Sequence, residues 1–143
     1  MSDPLLDVTI LGRPRPQGSM KTFVMSGHAH ARHSDSTLSH RAHVIATMAA
    51  AWGQPPVDNP ALVALLFEFA RPKSHYRTGR NSHLLKDTAP VRHTQPPDLD
   101  KLVRLTFDGL EMAGVVGNDA QVWHLTAAKT WGTVDQTHVT LRA

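Results

Sequence analysis

Asp98, Asp100 and Asp119 stand in and just after the most basic stretch of this chain. Between Arg71 and Arg104 run Arg71, Lys73, Arg77, Arg80, Lys86, Arg92, Lys101 and Arg104, against only Asp87, Asp98 and Asp100. Basic surface attracts a phosphate backbone through charge and counterion release. Carboxylates beside it repel that backbone unless a divalent cation sits between them. Three converging carboxylates suit magnesium, which takes oxygen ligands and keeps waters, one of which can attack phosphorus. The pattern points to metal-assisted cleavage of nucleic acid.

Spacing sets the conditions for such a site. Residues two apart do not share a face within a regular helix. Asp98 and Asp100 converge if Asp98 is extended at a helix cap while Asp100 has entered the first turn, near the positive end of the helix dipole. Asp119 opens a strand after the Gly117-Asn118 turn, and reaches that helix start if the strand pairs nearby. Each acid also has a plainer reading. Asp98 can be a cap, Asp119 a turn residue, and Asp100 a partner for Arg104 one turn later. Spacing alone leaves both readings open.

The elements that must position these groups follow from periodicity. Leu5 to Leu11 is β-branched and suits a first strand, and 12–18 is a looped Gly/Pro segment carrying Arg13 and Arg15. Phe23 to Met25 suits a second strand, with 27–33 as a polar loop or hairpin tip. Leu38, Val44, Ile45, Met48 and Trp52 repeat as one face of a helix over Ser36–Trp52. The near-continuous apolar run Ala61 to Phe69 suits a central strand. Residues 71–97 form a long, basic, mobile loop suited to contacting a ligand. Asp98 to Ala113 reads as a second helix, with Leu99, Leu102, Val103, Thr106 and Leu110 on one face and Gly114 as its stop. Gln121–Trp131 and Thr137–Leu141 read as a closing pair of strands. The order implies one α/β (α+β) domain over 1–143, a mixed sheet with two main helices on one face.

Composition narrows the classes. The chain of 143 residues with 41% hydrophobic content has enough core for one domain. It contains no cysteine, which excludes a disulfide framework, a thiolate zinc site and a cysteine nucleophile. The longest apolar run is too short to span a bilayer, and no secretory leader is evident, so a soluble cytoplasmic protein without membrane contact is expected.

The run Pro97-Asp98-Leu99-Asp100-Lys101-Leu102-Val103-Arg104-Leu105-Thr106-Phe107-Asp108-Gly109-Leu110, followed by Gly117-Asn118-Asp119-Ala120-Gln121-Val122, resembles the RusA family of Holliday-junction resolvases. These are small endonucleases of bacteria and their phages. The early Gly12-Arg13-Pro14-Arg15-Pro16 resembles the family's first-strand exit. The resemblance implies a homodimer that nicks four-way DNA symmetrically in recombination and repair. It further implies that Asp98, Asp100 and Asp119 bind magnesium, with manganese as a substitute. Arg104 stands where the family has a contributing lysine, and Asn118 where an acid is frequent. An arginine can steady a phosphorane but is a poor proton shuttle. Arg13, Arg15, Lys21, Arg71, Lys73, Arg77, Arg80, Lys101 and Lys129 are the candidate DNA contacts, with a solvated surface as the plain alternative.

Other motifs carry less. His28, His30 and His33 could share a metal on a strand, but a polar loop tip is the simpler reading. Trp123 and Trp131 could stack on bases or anchor the core. The competing functions are a less selective branched-DNA or flap nuclease and a non-catalytic DNA-binding module.

Overall fold

A computed structural model of the chain describes residues 3–17, 21–32 and 35–143. In chain order its elements are β1 (Leu6–Leu11), β2 (Lys21–Met25), β3 (His28–Arg32), α1 (Asp35–Trp52), β4 (Ala61–Ala70), α2 (Leu99–Met112), β5 (Val122–Gly132) and β6 (Gln136–Arg142). The main sheet has the order β1–β6–β4–β5, with β5 parallel to β4 and the other pairs antiparallel. It is the mixed sheet expected, with α1 and α2 on one face.

Alternation explains which face is covered. In β4, Ala61, Val63, Leu65, Phe67 and Phe69 are buried, while the intervening residues are half-buried or exposed. The buried set meets Val44, Met48 and Trp52 of α1 and Leu102, Leu105 and Leu110 of α2 in one core. Each fully buried side chain of this kind contributes roughly 1.5–3 kcal/mol. The two helices approach closely at Gly109, where a Cβ would stand 2.8 Å from the Met48 methyl and 2.9 Å from a Val44 methyl. Glycine is needed there for space. Gly114, with φ +74°, ends α2 in the left-handed conformation that glycine adopts freely.

Two expectations need correction. The late strands are not a closing pair, because β6 inserts between β1 and β4. The short link after β5 crosses the end of β4 and is fastened there: Ala70 N–H donates to Asp135 Oδ1 at 2.9 Å, and Gly12 N–H donates to the Asp135 carbonyl at 3.0 Å. The 27–33 segment is mostly strand rather than loop. β3 pairs with β2 through a tight turn at Ser26 and Gly27, whose φ values of 53° and 77° match the twist of a two-residue hairpin.

Candidate active site

The entrance to α2 holds the first two acids. Asp98 occupies the cap position with extended backbone (φ −68°, ψ 138°), as the convergence argument requires. Its carboxylate makes no capping hydrogen bond, contrary to the capping expectation. Instead Oδ2 pairs with Lys101 Nζ at 3.3 Å, one turn along. Asp100 lies in the first turn and is exposed, and its carboxylate has no hydrogen bond or ion pair among the described residues. The plain Asp100–Arg104 pair does not form, and Arg104 is also exposed and unpaired there. The Asp100 carboxylate and the Arg104 guanidinium are therefore unpaired among the described residues on the first turns of α2, beside an Asp98 that is paired only with Lys101.

Two contacts hold this entrance in place. Lys129 Nζ, from the far half of β5, donates to the Gln95 carbonyl at 2.7 Å and the Pro97 carbonyl at 3.0 Å. It is a clamp on the chain leading into Asp98, a role that spacing did not suggest. Gln17 N–H donates to the Lys101 carbonyl at 3.1 Å, which brings the segment bearing Arg13 and Arg15 to the same turn.

Asp119 is held just as firmly, but elsewhere. It begins a 3₁₀ turn, Asp119–Gln121, rather than a strand. Asn118 caps that turn by accepting from Ala120 N–H at 2.8 Å. Gln121 Oε1 accepts from Gly117 N–H at 2.8 Å and Asn118 N–H at 2.9 Å, while Nε2 donates to the Val57 carbonyl at 2.6 Å. The Asn118-x-x-Gln121 spacing is the capping-box signal in the sequence that marks this turn. Val57 N–H in turn donates to the Val115 carbonyl at 2.9 Å, just past the end of α2. The Asp119 turn thus belongs to the C-terminal end of α2, whereas Lys129 ties the N-terminal end to the far half of β5. A helix of this length spans about 20 Å. Within one chain Asp98 and Asp100 both stand at the start of α2, at the cap and in the first turn, while Asp119 lies at the opposite end of the helix. Consistently, no three His, Asp or Glu side chains among the described residues are grouped to hold a metal.

The 71–97 segment is tied to the sheet at several points. Arg71 Nη1 donates to the Pro90 carbonyl at 2.8 Å, and its guanidinium lies 5.9 Å from the Trp131 ring centre. Arg77 Nε donates to the Leu85 carbonyl at 3.2 Å, and Nη2 pairs with Asp87 at 3.2 Å. Sequence reasoning missed His93. It is buried, stacked 4.0 Å from Trp131 and tilted 4.4 Å from Phe69, and so pins the loop to the sheet. Burial, then Lys129 and Arg13, lower its pKa, with its own backbone hydrogen bond opposing them. No periodic or spacing signal marks a lone histidine in a polar loop. Trp131 is an anchor, donating Nε1–H to the Arg92 carbonyl at 3.3 Å, whereas Trp123 is exposed.

The remaining basic candidates divide by what they touch. Arg13 lies over Phe69 at 5.3 Å and 4.0 Å from Asp135, while Arg15, Lys73 and Arg80 are exposed. The side chain of Lys21, the side chain of His30 and all of His33 lie outside the described residues. No helix among the described residues is long and apolar enough to cross a membrane.

A family model described as endodeoxyribonuclease RusA matches residues 12–142, nearly the whole chain and every element around the α2 entrance. No curated protein matches the sequence. With that match over both the acidic helix entrance and the Asp119 turn, the chain belongs to the RusA family of endodeoxyribonucleases.

Proposed function

We propose that the chain is a magnesium-dependent, structure-selective endonuclease that resolves four-way DNA junctions by paired, symmetric nicks. The observation that carries this reading is the α2 entrance: two aspartates, neither engaged in capping, beside Lys101, Arg104 and the Lys129 clamp. Hard carboxylate oxygens, one pair unpaired on Asp100 and the other on Asp98 engaged only by Lys101, fit magnesium or manganese better than softer metals. When bound, the cation supplies charge neutralisation at the phosphate and a water of lowered pKa. Asp98 and Asp100 would hold it, Lys101 would keep the Asp98 carboxylate oriented, and Arg104 would steady charge developing on the phosphoryl oxygens. Arg13, Arg15, Lys73, Arg77 and Arg80 supply backbone contacts.

Asp119 enters this reading through a second subunit. A junction is resolved by two nicks related by two-fold symmetry, so an isologous dimer presents two equivalent sites. Such a dimer can also carry Asp119 of the partner subunit to Asp98 and Asp100, which no path within one chain does.

Labelled four-way junction, flap and linear duplex, incubated with magnesium or with chelator, test the function. Paired nicks confined to the junction and abolished by chelator are the expected result. Cutting of all three substrates would favour a less selective nuclease, and bound but intact DNA would reduce the chain to a binding module. Asp100→Asn should abolish cutting while binding is kept or tightened, since repulsion near the phosphate falls.

A further inference from the structure

We infer that the cavity formed by the 71–97 segment takes one unpaired nucleotide from the branch point of the DNA, with Tyr76 against the base and Lys73 at its phosphate. This rests on the proposed function and deepens it, since a nucleotide that leaves its stack readily is what a branch offers and a continuous duplex does not.

Between β4 and α2 the chain forms only two 3₁₀ turns, Lys73–His75 and Gly79–Asn81, yet its backbone is firmly tied. Tyr76 bridges antiparallel to Leu85, Arg77 N–H donates to the Leu84 carbonyl at 2.8 Å, and Lys86 N–H donates to the His75 carbonyl at 2.9 Å. The Arg77 guanidinium is committed to the Leu85 carbonyl and to Asp87. Folded in this way, the segment forms an open cavity of about 430 Å³ lined by Lys73, Tyr76, Arg77, Thr78, Gly79 and Ser82. Sites for small ligands occupy roughly 300–1,000 Å³.

Most of the polar lining is uncommitted. Lys73 Nζ, Tyr76 Oη, Thr78 Oγ1 and Ser82 Oγ make no hydrogen bond or ion pair among the described residues. Thr78 stands at the cap of the second 3₁₀ turn, and its hydroxyl does not cap it. Tyr76 is half-buried, so its ring belongs to the wall of the cavity.

The chemistry of that wall selects the occupant. Lys73, Arg77, Arg80 and Lys86 against Asp87 favour an anion. Three hydroxyls that both donate and accept can satisfy the polar edge of any base, and a phenol ring offers a face for stacking. A bare phosphate would use the lysine and leave the ring without a partner. Inside a duplex the faces are stacked and the pairing edges are occupied, so a base must leave the helix to enter. Pairs at a crossover lack a continuous stack, and opening one there costs less. The position of the cavity agrees. His75, next to Tyr76, lies edge-on to Trp131 with ring centres 4.9 Å apart. Trp131 is two strand residues, about 7 Å, from Lys129, whose ammonium holds the chain entering Asp98. The cavity and the acidic entrance therefore hang from the same stretch of β5, where one DNA strand can engage both.

Binding of a labelled four-way junction in chelator tests the pocket apart from cutting. Tyr76→Leu removes the stacking face and should weaken junction affinity by about five- to a hundred-fold, while affinity for linear duplex and the circular dichroism spectrum hold. Tyr76→Phe keeps the ring and should bind nearly as the wild type does. Junctions carrying an abasic residue, placed in turn at each nucleotide flanking the crossover, complete a double-mutant cycle. At one position the missing base should weaken wild-type binding by a similar factor and weaken Tyr76→Leu no further. Equal losses on junction and duplex, a Tyr76→Leu protein that binds the junction as the wild type does, or additive losses at every position would overturn the pocket. Free deoxyadenosine monophosphate that binds the wild type at micromolar concentration and displaces no DNA would assign the cavity to a soluble nucleotide, and overturn it as well. If the wild type leaves junctions intact in magnesium while the cycle holds, only the proposed function fails. If the wild type nicks junctions and Tyr76→Leu binds and nicks them equally well, only the pocket fails.

Discussion

Replacing Lys129 by methionine keeps the aliphatic stem and removes the ammonium that holds the approach to Asp98. Two charge-assisted bonds are lost, at 2.7 and 3.0 Å, to the carbonyls of Gln95 and Pro97. Hydrogen bonds to a charged donor contribute roughly 1.5–3 kcal/mol each when shielded. Lys129 is only half-buried and the freed carbonyls can turn to water, so the two bonds together are expected to contribute well below the shielded sum, about 1–2 kcal/mol in a urea melt. The larger effect should fall on the site, because a displacement of about 1 Å at a reacting group can cost about a hundred-fold in rate. Single-turnover nicking of a four-way junction should therefore slow by more than ten-fold, a loss of about 1.4 kcal/mol or more in transition-state stabilisation. Binding measured from 50 to 300 mM salt separates this role from a direct phosphate contact. A clamp leaves the slope of log K against log salt unchanged, whereas each lost phosphate contact flattens it by roughly one. A Lys129→Met enzyme that cuts at the wild-type rate, or whose only defect is a shallower salt slope, would refute the clamp.

Three other outcomes follow from particular contacts. Gly109→Ala drives a methyl against Met48 and Val44 and should lower stability by roughly 1–3 kcal/mol in a denaturant melt, without changing the α2 entrance. Gln121→Ala removes the side chain that bonds Gly117, Asn118 and Val57, and should cost roughly 1–3 kcal/mol while slowing nicking through misplacement of Asp119. His40 has its pKa lowered to about 4 by burial, then by His43 and Arg15. Its folded pKa lies below the unfolded value near 6.5, so the stability it contributes is complete above that value and is lost as pH falls towards 4. Thermal melts across that window should show a loss that His40→Asn reduces.

The local elements were legible because local signals wrote them. A near-continuous apolar run placed β4 at the centre, 3.6-residue periodicity placed both helices, and Pro97-Asp98 marked the start of α2. Pairing partners were not legible. Nothing in Thr137–Leu141 states that it will insert between β1 and β4, since the choice depends on which edges remain free once the sheet assembles. For the same reason Asp119 looked close to Asp98 along the chain, although the chain traverses the length of α2 before reaching it. His93 was invisible because its partners, Phe69 and Trp131, come from two strands distant in sequence. Asp98 illustrates a subtler limit: its backbone conformation followed from its position, but its carboxylate pairs with Lys101 instead of capping.

The central claim is that Asp98 and Asp100 of one subunit work with Asp119 of the other. Mixing two inactive variants, Asp100→Asn and Asp119→Asn, and allowing subunits to exchange tests it most directly. A shared site predicts that mixed dimers contain one intact set of acids and regain nicking of a single junction strand in magnesium. Two variants that stay inactive in every ratio, although exchange is demonstrated, would contradict it.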